Sequence, residues 1–153
     1  NEKSLSKPKS IVDSNFFYFV IETIDYNIIL YIDKLDYILD CIRKNENDIV
    51  KKFIEYGYPI NDKNDKGWNL LIVATFTGNK EIFDFLFKRR ADLRTSNFNK
   101  TNLLMYSLTP IRQNSNYYFF ERLLELGLDL NATDNKGNST LDWIKKHELD
   151  IKR

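Results

Sequence analysis

At 153 residues the chain is the size of one domain, and its 42% hydrophobic content can supply a core without disulfides or a structural metal. Lys and Arg number 23 against 22 Asp and Glu, so the net charge of +1 gives no electrostatic ground for a nucleic-acid or anionic-membrane partner. A single cysteine, Cys41, excludes an intramolecular disulfide.

Residues 1–12, with several Lys and Ser and with Pro8, read as a disordered tail ahead of one domain at 13–153. The greasiest stretch, Phe16 to Ile32, is broken by Glu22, Asp25 and Asn27 and does not reach the roughly 20 apolar residues that span a bilayer. Residues 13–33 are expected to form a helical cap or a worn repeat, with self-assembly through this apolar segment as a second reading. The expected localisation is cytoplasmic, or secreted or periplasmic if Asn1 is a cleavage product.

From residue 34 onward the chain repeats itself. Ile49-Val50 with Phe53-Ile54, Ile82-Phe83 with Leu86-Phe87, and Phe119-Phe120 with Leu123-Leu124 share the spacing i, i+1, i+4, i+5. That spacing puts four large side chains on one face of a helix, opposite charged residues such as Lys51, Asp84 and Glu121. The offsets between successive helices are 33 and 37 residues. After each helix comes a position for a left-handed turn residue, occupied by Gly57, Arg90 and Gly127. Polar tips follow at 61–67, 94–100 and 131–137, rich in Asn, Asp and Gly and therefore turn-forming. A short apolar helix then starts behind a capping side chain: Asn69 before Leu70, Asn102 before Leu103, and Ser139 before Thr140. The four extra residues of the longer unit fall in Thr109–Asn116, where they are expected to lengthen a loop. At the end of the chain, Leu141, Trp143 and Ile144 are expected to form the inward face of a closing helix, with Trp143 packed in the core.

Chemical groups suited to catalysis are few. His147 is the only histidine and Cys41 the only cysteine, and they fall at opposite ends of the repeating region. Cys41 reads as a buried structural thiol and His147 as a surface residue. The run Asn61-Asp62-Lys63-Asn64-Asp65 is a poor calcium loop, with Lys63 at a ligand position and no Glu at the twelfth. No cofactor or metal is expected, nor any enzymatic activity.

The unit of turn, short helix, turn and longer helix resembles the ankyrin repeat family. The resemblance is carried best by Asp65-Lys66-Gly67-Trp68-Asn69-Leu70-Leu71, by Gly78-Asn79-Lys80-Glu81-Ile82-Phe83 and by Ala91-Asp92-Leu93, with echoes at Leu126–Ala132 and Asp134–Leu141. It covers residues from about 35 to 146. It departs from the family pattern where Arg90 and Lys100 replace turn glycines, where Ile72 and Met105 replace a bridging histidine, and in lacking the helix-starting proline. The implied fold is all-α: an ankyrin-like solenoid of three to four repeats with hairpin tips, divided at 34–63, 64–96 and 97–133, with a partial capping repeat at 134–153.

The resemblance also implies a function. Such stacks bind partner proteins on the concave side formed by tips and first helices. The candidate partner-binding residues are Arg43 and Lys44; Asp65, Lys66, Trp68, Phe76 and Thr77; Phe98, Asn99, Thr101 and Thr109; and Asn135, Lys136 and Asn138. Trp68, Phe76 and Phe98 are expected to form an exposed aromatic hot spot. A monomeric protein-binding module is expected, of the kind that serves as a bacterial immunity, inhibitor or helper protein, with a host-directed effector as a further reading.

Overall fold

The computed structural model describes residues 34–151. The tail expected at 1–12 and the cap or assembly segment expected at 13–33 lie outside these residues. Eight helical segments follow one another: α1 (Lys34–Arg43), α2 (Asn47–Glu55), α3 (Leu70–Thr77), α4 (Lys80–Lys88), α5 (Leu103–Tyr106), α6 (Leu108–Asn114), α7 (Tyr118–Glu125) and α8 (Thr140–Lys146). They pair as α1 with α2, α3 with α4, and α5/α6 with α7, and the pairs stack so that α1 packs on α3, α3 on α5 and α6, and α5 on α8. This is the ankyrin-like helical stack expected from the repeat.

Local chemistry explains where the helices begin. The side chains of Asn69, Asn102 and Ser139 accept from the backbone amides of Ile72, Met105 and Asp142, as the polar residue ahead of each short helix predicts. At α8 the Asp142 carboxylate also accepts from the Ser139 amide, completing a capping box. Buried Asn69 has a second bond, from its Nδ2 to Thr95 Oγ1 at 2.7 Å. Asn79 caps α4 and reaches back one repeat to the carbonyl of Ile42 and the side chain of Asn47. Ile72 and Met105, in the places of a bridging histidine, are buried and apolar. A buried polar link between repeats comes from Asn79 instead.

Among the described residues ten have positive φ, and all fall into three registers set by the repeat. Asn45, Gly78, Ser115 and Glu148 end the first helices; Gly57, Arg90 and Gly127 follow the second; Gly67, Lys100 and Gly137 turn the tips. Arg90 and Lys100 therefore hold left-handed backbone (φ 60° and 59°) at positions where their counterparts are glycine. Gly67 meets a second demand, since a Cβ there would lie 2.5 Å from the backbone nitrogen of Phe98 on the next tip.

The core is built from the faces that the sequence pattern marks. Val50, Phe53 and Ile54, then Ile82, Phe83 and Leu86, then Phe119, Phe120 and Leu123 are buried. Phe83 and Phe119 meet edge to face at 5.2 Å across the repeat boundary. Helix α3 has six consecutive buried residues, Leu70 to Thr75, because neighbours lie on nearly every side of it. Cys41 is buried in α1, and burial pushes its thiol up to about 11, leaving it un-ionised at neutral pH.

Two expectations change. The extra residues expected to form a loop at 109–116 are helical as far as Asn114. Leu104, Leu108 and Ile111, spaced i, i+4 and i+7, bury one helical face, so the insertion adds about one turn to the inner helix. The helix breaks at Ser107 because Pro110 has no amide to donate to the carbonyl of Tyr106. In α8, Leu141 is 40% exposed rather than inward, and the inner face is Thr140, Trp143 and Ile144 at i, i+3 and i+4.

These backbone assignments predict opposite effects at equivalent tip positions. Lys100→Gly is expected to raise stability by about 1 kcal/mol, by relieving left-handed strain of roughly 1–2 kcal/mol against a smaller unfolded-state cost. Gly67→Ala is expected to lower stability, since the methyl group meets backbone. Urea unfolding followed by circular dichroism measures both, and a destabilised Lys100→Gly would contradict the assignment.

Candidate functional site

Each tip is organised by one short polar side chain. Asn64, Asn97 and Asp134 occupy the same register, and their Oδ1 atoms accept from the amides two and four residues on: Lys66 and Trp68, Asn99 and Thr101, Lys136 and Asn138. Only a side chain this short, with its acceptor beside the backbone, closes such a turn. Isolated antiparallel bridges, Ser96 with Asn102 and Thr133 with Ser139, complete two of the hairpins. Adjacent tips are tied together by Lys63 Nζ donating to the Ser96 carbonyl, and by Asn135 donating from its amide to Asn99 and from its side chain to Phe98.

On this scaffold the candidate residues fall into a few rows. Asp65, Phe98 and Asn135 share one tip position, and Lys66, Asn99 and Lys136 share the next. Trp68, Thr101 and Asn138 precede the caps, Arg43 and Phe76 lie near the ends of α1 and α3, and Thr109 lies in the same register at the start of α6. Some are engaged internally: Lys44 pairs with Asp40 at 2.8 Å, Thr77 Oγ1 donates to the Val73 carbonyl, and Asn135 is held as above.

The three aromatics expected to be exposed differ among themselves. Phe98 is 61% and Phe76 42% exposed, but Trp68 is half-buried, with Arg43 and Lys66 over its ring at 5.6 and 5.2 Å. Trp68 and Phe76 are joined through a residue absent from the candidate set, Tyr106. Its hydroxyl is in polar contact with the Trp68 and Asn97 side chains, and its ring meets Phe76 edge-on at 6.0 Å. Burial, opposed by those contacts, holds its phenol above the ordinary range.

Beyond Tyr106 the surface sinks into a hollow of about 270 Å³ whose walls include Phe76, Tyr106, Thr109, Arg112, Trp143 and His147. Trp143 is therefore only half-buried, and not wholly a core residue. Its ring stacks on His147 at 5.4 Å, Lys146 lies over it at 4.9 Å, and its Nε1 donates to Asp134 Oδ2 at 3.2 Å. Arg112 lies 3.4 Å from Nδ1 of His147, so in that contact the imidazole nitrogen accepts. Tyr106 and Trp143 each stand three residues after the first residue of their inner helix, one turn before the row of Phe76 and Thr109. That i, i+3 relation is a signal present in the sequence. The exposure of Arg112 to the hollow follows only from the extra helical turn.

Among the described residues no group of three or more His, Cys, Asp or Glu is placed to hold a metal ion, and no helix is long and apolar enough to cross a membrane.

The Asp134–Trp143 contact gives the face a pH response. Burial opposes ionisation of Asp134, but the Asn138 and Lys136 amides and the Trp143 indole outweigh it and hold the carboxyl below its usual range. A carboxyl depressed on folding contributes stability that is present above its unfolded value of about 3.9 and lost as pH falls through the lower folded value. In a Trp68→Phe background, Trp143 emission is expected to shift as pH falls below about 4. Asp134→Asn, which installs the residue of Asn64 and Asn97, is expected to flatten that transition while keeping the turn. An unchanged titration would remove Asp134 as its origin.

A family model described as ankyrin repeats, in three copies, matches residues 38–134. A protein of Borreliella burgdorferi named as an ankyrin repeat protein is 40% identical over 52 residues, which is 34% of this chain and 24% of that protein. The chain thus spans about a quarter of that relative's length. With this match laid over the stacked helix pairs and their in-register tips, the chain belongs to the ankyrin repeat family.

Proposed function

We propose that the protein is a binding module for one partner protein, seated along the inner face of tips and first helices. Ankyrin repeats are in general protein–protein interaction modules. The observation that carries the reading here is the continuous surface from Trp68 through Tyr106 and Phe76 to Trp143. Aromatic side chains with one side in solvent contribute a large share of binding energy at interfaces, and a run of four demands a use.

The outer face offers a contrast. There Lys51 pairs with Glu81, Lys80 with Asp84 and Arg122 with Glu125, and the same three cations lie over Phe85, Tyr118 and Phe87. These three cations are engaged within the molecule by both a carboxylate and a ring, while Arg89 lies over Phe85 at 3.7 Å. The immunity, inhibitor and helper roles considered above are all forms of the same act of occupying a partner, and the partner's identity distinguishes them.

The test is calorimetric titration of the partner recovered by affinity purification. Alanine at Trp68, Phe76 and Phe98 is expected to cost more than about 1 kcal/mol for at least one of the three, while Glu121→Ala on the outer face leaves binding intact. Losses below that value for all three, with unchanged melting curves, would move the site elsewhere.

A further inference from the structure

The inner face carries cations that form no ion pair with its own carboxylates. Arg43 and Lys66 lie over Trp68, Lys146 lies over Trp143, and Arg112 touches only the His147 ring. Among the described residues none of the four is ion-paired with a carboxylate. The neighbouring acids are largely committed: Asp40 to Lys44, Asp142 to the α8 cap and Asp134 to its tip. Asp65 and Glu148 are exposed, as is Asp36, which accepts from the Asn64 side chain. Arg43, Lys66, Arg112 and Lys146 thus present N–H donors along the aromatic surface outside any carboxylate ion pair.

The hollow sets the size of what enters it. Its volume of about 270 Å³ falls below the roughly 300–1,000 Å³ of small-molecule sites. Its walls include Met105, Leu108 and Leu149, with Arg112 and His147 also lining it. A guanidinium engaged by one imidazole nitrogen keeps further N–H groups for a carboxylate, which it binds in bidentate fashion.

We propose that the hollow takes one large apolar side chain from an extended acidic segment of the partner protein, whose carboxylates contact Arg112 beside it and Arg43 and Lys66 further along the face. This deepens the binding-module reading and rests on it. Single-stranded nucleic acid is the other polyanion that meets aromatics, but it needs open ring faces on which bases stack. Here Trp68 and Trp143 already carry cations over their rings, and Tyr106 meets Phe76 edge-on. That geometry favours insertion of a side chain and contact with carboxylates.

The probe is a randomised peptide library displayed on phage and selected on the immobilised full chain. Enriched peptides are expected to carry Asp and Glu around a single Phe, Leu or Trp, and synthetic versions to lose about tenfold in affinity when that residue becomes Ala or when Arg112 becomes Gln, with Arg112→Lys recovering part of the loss. Thr109→Trp, which fills the hollow from its rim, is expected to abolish binding while leaving the melting curve in place; Phe76→Ala serves as a second, cavity-widening variant. Peptides that are lost with Thr109→Trp or Phe76→Ala but show no acidic bias would overturn this inference and leave the inner-face reading standing. Peptides indifferent to both variants would overturn the reading itself. A single-stranded oligonucleotide that displaces the peptides and binds more tightly would overturn the inference in favour of nucleic acid.

Discussion

Neither helix of a repeat has a core of its own. Phe83 is buried because Phe119 from the next repeat meets it edge-on, and α3 buries six residues in succession because α1, α4, α5 and α6 surround it. Burial between repeats is thus the interaction on which everything else depends. A helix of eight or nine residues is marginal alone in water, where nucleation outweighs the few hydrogen bonds it closes. Stacking supplies what helix propensity does not, in the manner of a one-dimensional array whose units are held by their neighbours.

That constraint explains the three rows of left-handed residues. If successive pairs are to superpose their apolar faces, the chain has to reverse at the same three places in every unit. The backbone conformation is therefore preserved even where the favourable residue is not. Arg90 and Lys100 adopt φ near 60° because leaving it would slide Phe83 or the 97–102 tip out of register with its neighbours. The four additional residues obey the same rule. They lengthen α5/α6 along its own axis, and Ser115 then turns the chain as Gly78 does. One further turn of helix is tolerated where a shift between repeats is not.

The stack was legible in the sequence because its signal is periodic. Paired apolar residues, capping Asn or Ser and turn Gly recur at fixed offsets, and each instance supports the others. The form of the insertion was not legible, since Thr109–Asn116 combines Pro, Asn and Ser with a weak apolar face and only burial of Leu108, Pro110 and Ile111 makes it helical. The aromatic inner face was legible in part. Positions such as Phe76 and Phe98 follow from register alone, whereas the half-burial of Trp68 depends on Arg43 from one repeat earlier and Lys66 from its own tip. Leu141 and Trp143 show the limit of reading one residue at a time. Both are large and apolar, and only the direction of α8, fixed by the Ser139 cap and the Asp134–Trp143 bond, decides which turns inward.

The two faces of the stack use the same residue types in different ways. Outside, three of the cations that lie over rings are also anchored by a carboxylate, as with Lys80 between Asp84 and Tyr118, and such exposed pairs contribute little to stability. Inside, Asp134 and Asp142 are drawn into a tip and a cap, where they hold backbone amides, and Arg43, Lys66 and Lys146 remain with rings. The polarity of the inner face is therefore in part a by-product of how the tips fold. Asp134 and Asp142 are consumed by the turn and cap that position the face, and the N–H donors of Arg43, Lys66 and Lys146 are left beside its rings, so the aromatic surface follows in part from the requirements of the stack itself.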